Sequence, residues 1–377
     1  MIKAGIYIHF PFCRAKCIYC DFYSVARQEQ LIPRFIEALL NEIEHWPSDI
    51  SGWQFDTIFF GGGTPSLITP QQLEQILLAL SERFDISAVR ELTIEANPDS
   101  ADQDKLHAWR ELGVNRLSLG IQSFNDDNLR FLSRIHTAVD SRAAIISAQS
   151  AGFEDISCDL IYGLPGQDWE KWRNDLQTVL EFEPTHLSCY TLTVENGTRL
   201  HDLVAAGSVL LPSDDEGAEL FRRTGEFLTE NGYPRYEISN FARPGKECRH
   251  NLHYWRIEPY LGFGPSAHGF DGRRRWWNVR NLANYLELVE SDQSAIQATE
   301  VLTVHEQTNE RIGFGLRLAE GFKLSAIPGK LRSKVLQQVQ QGAMKWGNYL
   351  KLENDCVRLT EKGMLYADAI AVDLQLA

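Results

Sequence analysis

The first 200 residues alternate between two hydrophobic periods. Short runs rich in β-branched and aromatic residues lie at Gly5–His9, Thr57–Phe60, Glu91–Glu95, Arg116–Gly120, Ile156–Ile161 and His186–Leu192, and each predicts a strand. Helical spacing fills the intervals. Ile32, Phe35, Ile36, Leu39, Leu40 and Ile43 share one face, as do Leu73, Ile76, Leu77 and Leu80. The second of these helices follows Thr69-Pro70-Gln71-Gln72, which combines capping-box spacing with Pro at the first helical position. Gly113 and Gly152 fall where helices should end. Six β/α steps predict an α/β fold with a parallel sheet, most simply a partial (β/α)6 barrel that binds ligands at its C-terminal strand ends. A doubly wound sheet is the alternative.

Beyond residue 200 the periodicity fades. Residues 201–299 are rich in Gly and aromatics and read as an irregular extension, with one hairpin at Gly269-Phe270-Asp271-Gly272-Arg273. Residues 300–377 regain order, with helices near 304–320 and 330–346, two short strands across Glu353-Asn354-Asp355, and a last helix opened by Thr360. That order predicts a small winged-helix-like α+β domain. Its near-neutral charge argues against DNA binding and for a lid or packing role.

Composition narrows the class. The formal net charge of −14 excludes nucleic acid as the main partner, because phosphate contacts need clustered Lys and Arg. No apolar run approaches the roughly 20 residues of a membrane span, and Met1–Phe12 lacks a signal-peptide pattern. Seven cysteines, an odd number, do not suggest a disulfide framework, and three of them fall within eight residues. A reducing, cytoplasmic setting is expected.

Those three are Cys13, Cys17 and Cys20, spaced C-x3-C-x2-C just after the first strand. Three thiolates on one loop can take three corners of an iron–sulfur cube. A structural zinc site would need a fourth ligand, and His9 could serve only by turning off its strand. A [4Fe–4S] cube held by three cysteines leaves one iron open to an exchangeable ligand.

The triad resembles the radical SAM signature, in which the open iron chelates S-adenosylmethionine (SAM). Phe60-Gly61-Gly62-Gly63-Thr64-Pro65 stands where that family has its GGTP element. Further segments resemble the oxygen-independent coproporphyrinogen oxidase group. They are Tyr7-Ile8-His9-Phe10-Pro11-Phe12-Cys13, Ile94-Glu95-Ala96-Asn97-Pro98, Gly120-Ile121-Gln122-Ser123-Phe124 and Asp159-Leu160-Ile161-Tyr162-Gly163-Leu164-Pro165. The resemblance implies a [4Fe–4S] cluster on the three cysteines. It also implies cluster-bound SAM against Tyr7, Tyr19, Gly62, Gly63, Thr64 and Glu95, and a neighbouring SAM-sized site at Gln122, Arg134 and Asp159.

Two features depart from the oxidases of that group. Phe22 stands where they carry a further cysteine, and only twelve residues precede Cys13 where they have a long extension. Arg249-His250-Asn251-Leu252-His253-Tyr254-Trp255 instead contains the HNxxYW element of the group's heme-chaperone branch. Tyr236–Ala242 and Gly262–Gly269 resemble that branch too. The implied function is heme binding and delivery to heme-accepting proteins, with His250 as iron ligand and His253 as a second candidate. SAM-dependent decarboxylation of coproporphyrinogen III and radical methyl or alkyl transfer are the enzymatic alternatives. Arg273, Arg274 and Arg275 are expected on a solvated hairpin edge. Cys158, Cys189, Cys248 and Cys356 are expected as small buried hydrophobes, with Cys248 a possible soft ligand beside the heme motif.

Overall fold

A computed structural model describes residues 2–46, 50 and 52–376. The six expected strands form β1 (Ile2–Phe10), β2 (Trp53–Gly62), β3 (Glu91–Ala96), β4 (Arg116–Gln122), β5 (Asp155–Tyr162) and β6 (His186–Thr191). They lie side by side in that order, all parallel. Alternation decides which side chains go where. In β1, Ala4, Ile6, Ile8 and Phe10 are buried in the hydrophobic core, while Gly5, Tyr7 and His9 face the concave side.

Helices α1 (Ile32–Glu44), α2 (Pro70–Arg83), α3 (Gln103–Glu111), α4 (Ala138–Ser150) and α5 (Trp169–Leu180) cover the convex side. α1 buries Phe35, Ile36, Leu39 and Ile43, each worth about 1.5–3 kcal/mol relative to exposure. The capping box of α2 forms as its sequence predicts. Thr69 Oγ1 accepts from Gln72 N, and Gln72 Oε1 accepts from Thr69 N.

Residues 201–299 are more regular than their pattern suggests. After α6 (Asp214–Glu230) they supply β7 (Asn240–Ala242), α7 (Arg249–Arg256), β8 (Tyr260–Phe263), β9 (His268–Phe270), β10 (Arg274–Asn278), α8 (Leu282–Glu290) and β11 (Ile296–Val301). β7 joins β6, and β8 joins β1 in parallel, so the sheet reaches eleven strands in the order β11-β10-β9-β8-β1-β2-β3-β4-β5-β6-β7. Strands of three to six residues between tight turns leave too few alternations to read from sequence. The expected hairpin is the β9–β10 pair.

The last unit has α9 (Val304–Arg317), α10 (Gly329–Trp346) and α11 (Ala367–Leu374) around a small sheet. Its strands are β12 (Phe322–Lys323), β13 (Leu350–Glu353) and β14 (Cys356–Leu359), with β14 central. Its interior, including Ile312, Val335, Val357 and Ile370, is continuous with the main core. No helix among the described residues is long and apolar enough to cross a membrane.

Candidate functional site at the barrel mouth

The chain leaves β1 and pairs Phe12–Cys13 with Val25–Ala26, closing the cysteine loop on itself. Cys20 N donates to Cys17 O at 3.3 Å, and Leu200 N donates to Ile18 O at 2.9 Å, tying the loop to the far side of the mouth. Two donors reach the sulfurs. Thr64 Oγ1 donates to Cys13 Sγ and Arg134 Nη1 to Cys17 Sγ, both at 3.4 Å. Asn97 bridges them, its Nδ2 donating to Thr64 Oγ1 (3.2 Å) and its Oδ1 accepting from Arg134 Nη2 (2.6 Å). Asn97 was not among the site residues read from the sequence, although it lies in one of the resembling segments. A narrow cleft, open to solvent, runs along Arg14, Cys17, Thr64, Asn97, Asp99 and Arg134.

The glycine turn sits beside this loop. Gly62 has φ +110°, and a Cβ there would lie 2.6 Å from His9 Cε1. At Gly63 a Cβ would meet Phe12 O at 2.6 Å, so only glycine lets the turn lie this close to the loop. Gly62 N donates to Glu95 Oε2 at 3.1 Å. Burial, with the charge of Asp159, pushes the Glu95 carboxyl up to about 8. A buried acid without a cation is a ready acceptor for a ligand's ammonium or hydroxyl. Asp159 is also raised by burial, and accepts from Ser118 (3.0 and 3.2 Å) and Ser157 (3.2 Å).

Tyr7 OH meets His9 Nδ1 at 3.1 Å, and His9 Nε2 meets Tyr23 O at 2.9 Å, so His9 has no nitrogen left to act as a fourth ligand. Gln122 adopts φ +66° at the end of β4, with its amide and the Arg134 guanidinium both close over Gly120. Tyr19 lies near Arg134, Cys17 and Cys20, its hydroxyl driven upward by burial. The mouth therefore gathers the expected cluster and SAM residues into one region, while the heme candidates His250, His253 and Cys248 lie on the helix below it.

His250 lies below that region, its ring 6.3 Å from the Tyr7 ring and stacked on it. It projects from α7, which lies beneath the N-terminal ends of the strands. Glu91, the first residue of β3, accepts from Arg249 N and His250 N, both at 2.9 Å, and so caps α7 where its N-cap residue Cys248 offers no side-chain bond. Buried Arg116 stands beside that carboxylate and donates to Lys246 O.

The His250 ring is 1% exposed. It is stacked on Phe59 at 5.1 Å, with Thr57 Oγ1 at 2.8 Å from Nδ1 and Tyr254 OH at 2.9 Å from Nε2. A Cβ at Gly5 would lie 2.9 Å from its Cε1. With both nitrogens hydrogen-bonded, the ring would have to leave Thr57 or Tyr254 before it could bind an iron. His253 is paired with Asp56 (2.7 Å) and Glu258. Trp255 reaches Phe314 of α9 at 6.0 Å. In this conformation the HNxxYW element is the barrel floor, joined to the C-terminal unit.

The remaining expectations divide. Arg275 is paired with Glu310 at 2.9 and 3.0 Å rather than solvated, whereas Arg273 is exposed. Cys158, Cys189 and Cys248 are buried, but Cys356 is half-buried and donates to Glu320 O.

Comparison with known proteins agrees with this geometry. The Radical SAM superfamily model matches residues 7–179, and the HemN C-terminal domain model matches 302–366. The heme chaperone HemW of Lactococcus lactis is 35% identical over 359 residues, 95% of this chain and 93% of the relative. HemW of Escherichia coli is 34% identical over 97% of this chain and 96% of its own length. The chain belongs to the HemW family. Among solved structures, the radical SAM enzyme coproporphyrinogen III oxidase (HemN) from Escherichia coli superposes with a TM-score of 0.85. The two are 25% identical, and the match covers 99% of this chain and 90% of that one.

Membership of the HemW family and the radical SAM superfamily implies a [4Fe–4S] cluster and SAM, and the donor set fits. Among the described residues no three His, Cys, Asp or Glu side chains converge on a single ion. A cube does not require that, because each thiolate takes its own iron. Burial raises the Cys13 and Cys20 thiols, the latter to about 11. At Cys13 the hydrogen bond from Thr64 and the charge of Arg134 oppose that rise and favour anionic sulfur, as the outer partners of a metal centre do.

Proposed function

We propose that this chain is a cytoplasmic heme chaperone that binds heme, carries a SAM-bound [4Fe–4S] cluster, and delivers heme to acceptor proteins. The observation that carries the reading is similarity along almost the whole chain to relatives named heme chaperones, in different bacteria. Phe22 supports it. The oxidases of the group carry a further cysteine at that position, and here the side chain is 64% exposed phenyl.

In this reading Cys13, Cys17 and Cys20 hold the cluster. Tyr7, Tyr19, Gly62, Gly63, Thr64 and Glu95 surround the SAM attached to it. Gln122, Arg134 and Asp159 line a neighbouring site on the same strand ends. Cluster and SAM, when bound, supply one-electron chemistry. The chain's own residues orient them: Thr64 and Arg134 hold the sulfurs, and Gly62 fixes the Glu95 carboxyl.

Anaerobically reconstituted protein should bind about one heme per chain and show no sustained conversion of coproporphyrinogen III when SAM and reductant are supplied. Repeated turnover without heme binding would replace this reading with the oxidase one, which the HemN-like fold also allows.

A further inference from the structure

With His250 enclosed in the floor, another histidine stands open at the mouth. His268 begins β9, two residues before Phe270 and so on the same face of the sheet. Phe270 pairs with Tyr260, whose ring meets Tyr254 at 4.7 Å, which marks that face as the concave one. The alternate residue Trp276 goes outward, against Trp46. His268 is exposed, and it lies opposite Trp277 with the two rings stacked at 5.9 Å and 27°.

Next to this pair, backbone bonds join Ala267 to Asn278 and Ser266 to Val279. Arg280 therefore follows directly, its guanidinium 5.7 Å over the Tyr23 ring, exposed and without an ion pair among the described residues. Tyr23 stacks on His9, and His9 in turn senses His268. The wall thus reaches the end of the cysteine loop.

We propose that His268 is the protein ligand to heme iron, with Trp277 holding the imidazole upright and meeting the porphyrin by its apolar edge, and Arg280 as the cation for a propionate. This rests on the heme reading above. Three complementary features carry it: an open imidazole, an indole stacked beside it, and an unpaired guanidinium, matching an iron, a macrocycle and a carboxylate. Partial enclosure of the ring body and the charge of Arg275 lower the His268 pKa, which keeps the ring neutral and its lone pair available near pH 7. No hydrogen bond competes for that ring among the described residues. His250, by contrast, would first have to leave Thr57 and Tyr254.

The test is anaerobic hemin titration of the reconstituted full chain, followed by heme transfer to excess heme-free myoglobin. His268→Ala should shift the Soret band, change the ferric-heme electron paramagnetic resonance signal and release heme at least about tenfold faster. Added imidazole should restore the spectrum. Trp277→Ala and Arg280→Ala should release heme faster without changing the iron signal. His250→Ala should keep the wild-type signal. If His268→Ala fails to reconstitute its cluster, His268→Gln is read the same way. Wild-type heme binding with an unchanged signal and off-rate in the His268 variant overturns this inference and leaves the chaperone reading standing. Failure of the wild type to bind heme removes that reading itself.

Discussion

The two ends of one barrel are built from the same polar residue types and do opposite things with them. At the floor, Glu91, His186, Tyr236, His250 and Tyr254 are bonded to neighbouring side chains or to backbone, and Arg116 bonds Lys246 O with its Nη2 left over. His186, for instance, has Ser157 on one ring nitrogen and Tyr236 on the other, both at 2.8 Å. At the mouth, Glu95 has no cationic partner among the described residues, the Cys13 and Cys17 sulfurs accept hydrogen bonds from Thr64 and Arg134, and His268 is open. A satisfied polar network stabilises and fixes a shape. An unsatisfied one is available to a ligand. Ligand-binding capacity here follows from what each side chain still lacks, not from which side chains are present.

This contrast predicts separable failures. The largest belongs to the mouth. A Cys13/Cys17/Cys20→Ala variant should lose the iron–sulfur absorbance completely, while urea unfolding of the metal-free protein stays near wild type because the floor is untouched. Cluster assembly on that variant would show that the loop is not the donor set. The floor should fail the other way. Glu91→Ala removes the α7 cap and leaves two backbone donors without their acceptor, at a cost of about 2–4 kcal/mol in unfolding free energy. The folded fraction should still assemble a full cluster. A loss below about 1 kcal/mol would mean that α7 is held by its apolar contacts instead.

What the sequence revealed follows the same division. Six strands were legible because each has enough residues for the alternation to show, and the α2 start because Thr69 and Gln72 bond only to local backbone. The cysteine loop was legible because its ligands are close in sequence. The floor was not. Glu91 and Arg116 open two different strands, and their partners at 246–250 come more than 100 residues later. The HNxxYW spacing shows that His250 and Tyr254 share a helical face, but not that Thr57 takes the remaining nitrogen. His268 was quoted within a resembling segment without a role, because openness to solvent is a property of the folded sheet. Asn97 was passed over for a related reason: its two partners, Thr64 and Arg134, meet only when β2, β3 and the segment after β4 are side by side.

The smallest predicted effect separates two histidines within the floor itself. Burial disfavours a charged His253 ring, but Asp56 and Glu258 outweigh it and hold its pKa at about 9. His250, one turn earlier, is lowered by burial and by His253, so it stays neutral. A folded pKa above the unfolded value of about 6.5 stabilises the fold fully below pH 6.5, and that stability is lost as pH rises through about 9. The His253 side chain is 3% exposed, but Glu258 is 35% exposed and water weakens its share. The loss across this window should then be on the order of 2–3 kcal/mol. Urea unfolding between pH 6 and 9.5 should show wild type weakening steadily. His253→Gln should start less stable and change much less over the same range. His250→Gln should lower stability at every pH and keep the wild-type slope above about pH 7.5, where the ring is neutral in both the folded and the unfolded chain and exchanges no proton. Equal slopes in wild type and His253→Gln would show that His253 is not the charged member of the pair, and that the floor is held by neutral hydrogen bonds alone.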